Sequence, residues 1–207
     1  MIIAIDGPAA AGKGTLAKRI AAALKLPYLD TGILYRATAK RVLEAGQDPE
    51  DVAAAVAAAQ ALGTDDFART DLRDAATSKA ASQVASIPQV RQALLDFQRH
   101  YGNKHGAVLD GRDIGTIIFP QADVKLFVTA SVEARAVRRH KEFLARGENV
   151  KLADVIADVQ ARDEADRTRA AAPLMMAVDA ALIDTTDMDA DAAFEAALAE
   201  VRKKFPV

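Results

Sequence analysis

The chain has 207 residues, with 27 Lys and Arg against 29 Asp and Glu and a formal charge of -2. That length fits one domain with a proper core, and the balanced charge argues against the concentrated basic surface that nucleic acid binding needs. Cysteine is absent, which excludes disulfides and thiolate metal sites. The N-terminal apolar run is too short for a signal peptide and ends at Asp6, and no run is long enough to cross a bilayer. The chain is therefore expected to be soluble and cytoplasmic, with neither membrane nor nucleic acid as a partner. Nothing in it demands a partner chain, so a monomer is expected. Abundant alanine and absent tryptophan favour many tightly packed helices.

The first predicted strand, Ile2–Asp6, runs directly into Gly7-Pro8-Ala9-Ala10-Ala11-Gly12-Lys13-Gly14-Thr15. A buried strand, a glycine-bounded loop and an alanine- and leucine-rich helix together form a cradle of backbone N–H groups for a polyphosphate. Lys13 in the first helical turn adds a positive charge where the helix dipole already favours an anion. Gly7 and Gly12 are expected at positive φ, letting the backbone approach the phosphates without a Cβ in the way. A phosphate-binding loop usually carries Ser or Thr directly after the lysine. Here Gly14 stands there and the hydroxyl arrives at Thr15, a spelling common among nucleoside monophosphate kinases. The loop by itself establishes triphosphate binding and leaves the reaction open.

A brief second strand at Tyr28–Leu29 leads into Asp30-Thr31-Gly32-x-x-Tyr35-Arg36. Thr31 is read as a cap of the following helix. Arg36, one or two turns in, either faces the crevice as a bidentate phosphate ligand or is a solvated arginine. Asp48-Pro49-Glu50 reads as a helix start, with proline in the first turn. From Leu62 to Ser78 the hydrophobic periodicity fails, and this stretch is either an inserted lobe or a loop. Ile87-Pro88 breaks the chain before a helix over roughly 89–101.

The third strand, Ala107–Leu109, ends in Asp110-Gly111-Arg112-Asp113. Asp110 is placed where a carboxylate reaches Mg²⁺ or its bound water. Gly111 is expected to turn the backbone sharply, sending Arg112 and Asp113 into the same crevice, although a surface turn also favours Asp-Gly. The fourth strand, Val124–Val128, precedes an Arg- and Lys-rich helix, Ser131–Arg146, closed by Gly147. Its Arg135, Arg138, Arg139, His140 and Lys141, with Arg146, form either a basic cover over triphosphate or a solvated face. The charged stretch Asp154–Arg169 places Arg162, Asp166 and Arg169 on one side of a helix, with surface ion pairing as the plain explanation. Pro173 is read as restarting the helical pattern before a fifth strand, Ala181–Ile183. His100 and His105 read as surface residues. Five buried strands alternating with helices give an α/β, P-loop-type, doubly wound parallel sheet that binds at the carboxyl ends of its strands.

With these residues in view, the chain resembles the bacterial cytidylate kinase, or (d)CMP kinase, family over essentially its whole length. The resemblance rests on IDGPAAAGKGT, LDTGILYR, ASQVASIPQVRQALL, DGRDIGTIIFP and RDEADRTRAAAPL. It implies ATP-dependent phosphorylation of CMP and dCMP with Mg²⁺. The family's cytosine-reading groups fall on Ser82, Arg91 and Asp113, and its phosphate arginines on Arg36, Arg112 and Arg169. The sugar contacts fall near Arg162 and Asp166, and Thr31 stands where relatives often carry Ser. Gly7, Pro8, Ala9, Ala10, Ala11, Gly12, Lys13, Gly14 and Thr15 take the ATP phosphates, with Arg138 assigned to ATP from the lid region near 131–170. Lys13, Arg36, Arg112 and Arg169 form the expected catalytic set. No direct protein ligand to Mg²⁺ is expected, with Asp110 reaching it through water. A core over 1–61 and 88–207 frames an insert near 62–87 that is shorter than in relatives and has little strand character, so a full three-stranded lobe is not expected. The competing readings are another monophosphate or small-molecule kinase, with UMP, AMP or a shikimate-type acceptor, and a nucleotide switch. The switch reading lacks the Asn-Lys-x-Asp guanine signature.

Overall fold

The computed structural model describes residues 1–205. Five parallel strands form one sheet: β1 (Ile2–Asp6), β2 (Tyr28–Asp30), β3 (Ala107–Gly111), β4 (Val124–Thr129) and β5 (Ala181–Asp184). Their spatial order is β2-β3-β1-β4-β5, so the strand carrying the glycine loop lies at the centre. Every predicted strand is present, and the apolar runs are continuous because helices cover both faces. Ile3, Ile5, Val108, Leu126 and Val128 are buried on one face with Leu16 and Ile20 of α1 (Lys13–Leu24) and Ala197 and Val201 of α9 (Ala190–Lys204). Ala4, Leu29, Leu109, Ile114 and Phe119 fill the opposite face. The tight spot there is Gly102 of α6 (Pro88–His105), where a Cβ would lie 2.5 Å from the Phe119 ring.

The remaining helices are α2 (Gly32–Glu44), α3 (Val52–Gln60), α4 (Thr64–Ala68), α5 (Ala75–Val84), α7 (Val132–Ala145) and α8 (Leu152–Thr168). Leu34, Val42, Ala55, Ala81, Val84 and Val90 pack α2, α3, α5 and α6 into a second core beside the sheet. Residues 62–87 are thus helical and turned, with no strand. Asp74 caps α5 by accepting from the Thr77 N–H at 2.8 Å, a cap the broken periodicity concealed.

Three expectations are corrected. Asp48-Pro49-Glu50 forms a turn, and the helix starts at Val52, because Asp51 accepts from both Ala53 and Ala54 N–H groups. No helix follows Pro173: residues 170–180 are irregular, with Ala172 at φ 50° and the Leu174 N–H returning to the Asp166 carbonyl. That reversal follows the end of α8 at Thr168, with Arg169 Nε donating to the Ala172 carbonyl at 2.8 Å. Thr31 does not cap α2 with its side chain; its hydroxyl donates to the Asp110 carbonyl at 2.8 Å. Among the described residues, no helix is long and apolar enough to cross a membrane.

Candidate active site

The glycine loop links the end of β1 to the start of α1 across the carboxyl edge of the sheet. Gly7 and Gly12 both take positive φ, as expected, at 146° and 89°. At Gly7 a Cβ would lie 1.9 Å from the Val128 carbonyl oxygen, so the neighbouring strand by itself already requires glycine there. The loop's carbonyls are engaged by the protein itself. Pro8 accepts from Lys13 Nζ at 2.6 Å, Ala9 from Arg135 at 3.2 Å, Ala11 from the Thr185 hydroxyl at 3.1 Å and Gly12 from the Leu16 N–H at 3.1 Å. The Ala9 and Ala11 carbonyls are thus held by side chains from outside the loop, Arg135 and Thr185, while a glycine loop of this kind receives an anion on its backbone N–H groups.

Lys13 is buried, and its ammonium is pulled down to about 7 by that burial, with Arg112 pushing the same way and Asp110, Asp166 and Asp6 opposing. A buried ammonium held near its neutral form regains its charge when a phosphate arrives. Asp6 and Asp110, at the ends of β1 and β3, are pushed up to about 6, chiefly by burial. Asp6 accepts from the Ile114 and Gly115 N–H groups at 2.8 and 2.7 Å. Those bonds pin the wide π-type turn Ile114–Ile118 that follows Asp113. Asp110 accepts from the Tyr28 hydroxyl at 2.9 Å. Sequence reasoning gave no role to Asp6 or Tyr28; the position of Asp6 at the end of the central strand was the available signal.

Opposite the loop, the predicted acceptor residues come together. Arg112 Nε donates to Asp166 Oδ2 at 2.7 Å, and Arg169 lies 3.7 Å from the other oxygen of the same carboxylate. Arg162, one turn earlier on α8, reaches the Ser78 carbonyl on α5 at 3.0 Å. Arg36 pairs with Asp30 at 2.7 Å, and Arg73 from the 62–87 segment joins the same oxygen at 2.9 Å. Arg36 Nε, Arg162 Nε and Arg169 Nη2 are buried without a hydrogen-bond partner among the described residues. Buried guanidinium N–H groups left unpaired are costly. Burial lowers the pKa of all three arginines, Arg162 to about 10, so each gains from a bound anion. Gly111 does not turn the chain as expected. It is the last residue of β3, where a Cβ would stand 2.6 Å from the Thr31 hydroxyl.

Arg91 and Asp113 form a close, buried ion pair, with Arg91 also donating to the Ala85 carbonyl at 3.2 Å and stacking 5.3 Å above the Tyr35 ring. Ser82 is half-buried on α5, on the segment that carries Ser78 and Ala85. The predicted cover of lid arginines is not a single surface. Arg135 is buried on Asp163, Arg138 donates to the Thr185 hydroxyl and carbonyl, and Arg139 pairs with Glu142 and stacks on Phe143. His140 meets the Val150 carbonyl, Arg146 the Arg73 carbonyl, and Lys141 is exposed. His100 and His105 are exposed, as expected.

Among the described residues, no group of three or more His, Cys, Asp or Glu side chains could hold a metal ion. Asp110 nevertheless presents a hard carboxylate beside Gly14, with Oδ2 3.7 Å from where a Cβ at that position would lie. Its donor chemistry fits Mg²⁺ carried in on phosphate oxygens and water.

A protein-family model described as cytidylate kinase matches residues 3–203. A protein named cytidylate kinase from Acidiphilium cryptum is 62% identical, covering 98% of this chain and 96% of its own length. One of the same name from Paramagnetospirillum magneticum is 59% identical, covering 98% of each. Among solved structures, an uncharacterized protein from Eubacterium ventriosum superposes with a TM-score of 0.57 at 17% identity, covering 98% of each chain. A gluconokinase from Sinorhizobium meliloti gives 0.52 at 16% identity, covering 98% of this chain and 91% of its own. These two likenesses show the fold alone.

Proposed function

The chain belongs to the cytidylate kinase family, and from that footing we propose that it transfers the γ-phosphoryl group of ATP to CMP and dCMP, giving ADP and CDP or dCDP. The observation that carries this reading is the set of buried guanidinium nitrogens left without a partner among the described residues, Arg36 Nε, Arg162 Nε and Arg169 Nη2, on residues that otherwise gather with Arg112 and Asp166. A monophosphate nucleotide supplies what those groups lack: phosphate oxygens for Arg36, Arg112 and Arg169, and sugar hydroxyls for Arg162 and Asp166. Arg91 and Asp113, supported by Ser82, offer donors and an acceptor to the edge of a cytosine. Thr31 fixes the start of α2, and so the approach of Arg36, through its bond to Asp110.

Phosphoryl transfer needs alignment and charge neutralisation more than covalent help. In this reading the loop N–H groups and Lys13 hold the ATP phosphates, and Arg36, Arg112 and Arg169 hold the acceptor phosphate in line with the γ-phosphoryl. An oxygen of the ionised acceptor phosphate attacks, the bond to the bridging β,γ-oxygen breaks, and that oxygen leaves on ADP. The attacking oxygen carries no proton at neutral pH, so no general base is required. Lys13 and the arginines neutralise charge spread over the transferring oxygens. Bound Mg²⁺ would add further charge neutralisation, steadied by Asp110 through water. Arg138, held against Thr185, is assigned to the ATP side of the crevice. Residues 62–87 act as the acceptor lobe and 131–170 as the lid, whose closure expels water and suppresses ATP hydrolysis. The enzyme is proposed to work in the cytoplasm as a monomer.

Calorimetric titration with CMP tests the acceptor site directly. Saturable one-to-one binding is expected, and Arg169→Ala should weaken it at least tenfold. Binding of CMP that ignores this substitution would refute the assignment.

A further inference from the structure

On sequence Arg135 falls with the lid arginines, yet its guanidinium reaches the glycine loop at the Ala9 carbonyl. It sits in the first turn of α7 and is 3% exposed, as is Asp163 on α8. Its guanidinium donates through Nε to the Ala130 carbonyl at 2.9 Å and through Nη1 to the Ala9 carbonyl at 3.2 Å. Nη1 and Nη2 also reach the two Asp163 oxygens at 2.9 and 2.5 Å. One side chain thereby ties together the end of β4, the glycine loop, α7 and α8.

We propose that Arg135 is a positioning residue that sets the shape of the phosphate loop through the Ala9–Ala10 peptide. The inference rests on the reading that this loop holds ATP. Ala10 takes φ 59°, a left-handed conformation that an alanine adopts only when its surroundings hold it there. The planar trans peptide sets the Ala9 carbonyl and the Ala10 N–H on opposite sides. Pulling the carbonyl outward onto Arg135 therefore turns the Ala10 N–H inward, toward the phosphates.

Asp163 holds the guanidinium plane at the angle this requires. A buried ion pair is weak evidence for stability, because desolvation offsets much of its attraction. Its worth here lies in fixing orientation. Lysine cannot substitute, since a single ammonium cannot span Asp163 and the Ala9 and Ala130 carbonyls in one plane. The same α8 carries Arg162 and Asp166 on its acceptor side, so Asp163 links the loop to the helix that frames the second nucleotide.

The test is titration of the full chain with a non-hydrolysable ATP analogue, without acceptor, for the natural protein, Arg135→Lys and Asp163→Asn, with thermal melts alongside. Arg135→Lys should weaken analogue binding about tenfold and Asp163→Asn about threefold, in proportion to the charge-assisted hydrogen bonds lost. In steady state the KM for ATP should rise while the KM for CMP stays within about twofold. Asp163→Asn keeps Arg135 and tests the same proposal if Arg135→Lys does not fold. Analogue affinity unchanged within twofold in a folded variant, or equal rises in both KM values, would overturn it. Failure of the natural protein to phosphorylate CMP would refute the acceptor assignment instead, and would leave the analogue titration as the judge of Arg135.

Discussion

Arg112 and Asp166 meet through one hydrogen bond of 2.7 Å from Nε to Oδ2, joining the loop after β3 to a helix more than fifty residues later. The Asp166 carboxylate also faces Arg169, and together Arg112, Arg162 and Arg169 hold its pKa below the usual carboxylate range against the opposing effect of burial. One acid thus organises three cations around the proposed acceptor position. Asp166→Asn should lower kcat/KM for CMP by about 10- to 200-fold, the range expected for a charge-assisted bond worth roughly 1.5–3 kcal/mol. Steady-state kinetics at fixed ATP read this directly, and a loss below threefold would remove Asp166 from the site.

Lys13 provides a pH signature. Its ammonium lies near 7 without nucleotide, and bound phosphate stabilises the charged form. Between the free and the higher bound pKa, binding takes up a proton, so ATP affinity should fall as pH rises above about 7. Calorimetry at pH 8 in two buffers of different ionisation enthalpy should show uptake approaching one proton. Lys13→Met should abolish that uptake and cut turnover by at least about 10²-fold.

Base selection is expected to reside in Asp113 and its partner Arg91. Asp113→Ala leaves Arg91 buried without its carboxylate, so CMP should lose far more than ATP, and the preference for CMP over UMP should narrow at least tenfold. Competing acceptor assays measure the ratio. Equal losses for CMP and UMP would deny Asp113 a part in reading the base.

Gly102 gives a prediction about the core rather than the site. A methyl group there would overlap the Phe119 ring, so Gly102→Ala should cost about 1–3 kcal/mol and lower Tm by several degrees. Activity at low temperature should be retained, because the contact lies beneath the sheet and away from the crevice.

The sheet was legible because its strands are short apolar runs bounded by turn residues, and burial on both faces makes that pattern strong. The glycine loop and the Asp30 and Asp110–Asp113 stretches stood out because each follows a strand end, where side chains of this fold converge, whereas Arg91 lies on α6 and Arg162 and Asp166 on α8, away from any strand end. What sequence spacing could not reveal was which partner each polar group takes. Thr31 looks like a helix cap and instead donates across to Asp110. Arg135 shares a helical face with Arg138 and Arg139, yet only Arg135 is buried on a carboxylate, since its partner Asp163 comes from a different helix 28 residues away. The alanines around Pro173 have helical propensity, but the return of Leu174 to Asp166 outweighs it. Long-range partners decide these cases, and spacing along the chain does not encode them.

The central claim is that the crevice opposite the glycine loop accepts cytidine monophosphates. ADP release from ATP, measured with CMP, dCMP, UMP and AMP at equal concentration, tests it most directly. The account predicts kcat/KM for CMP and dCMP well above that for UMP and AMP, with all four lost in Lys13→Met. Faster turnover of UMP or AMP than of both cytidine nucleotides would contradict it.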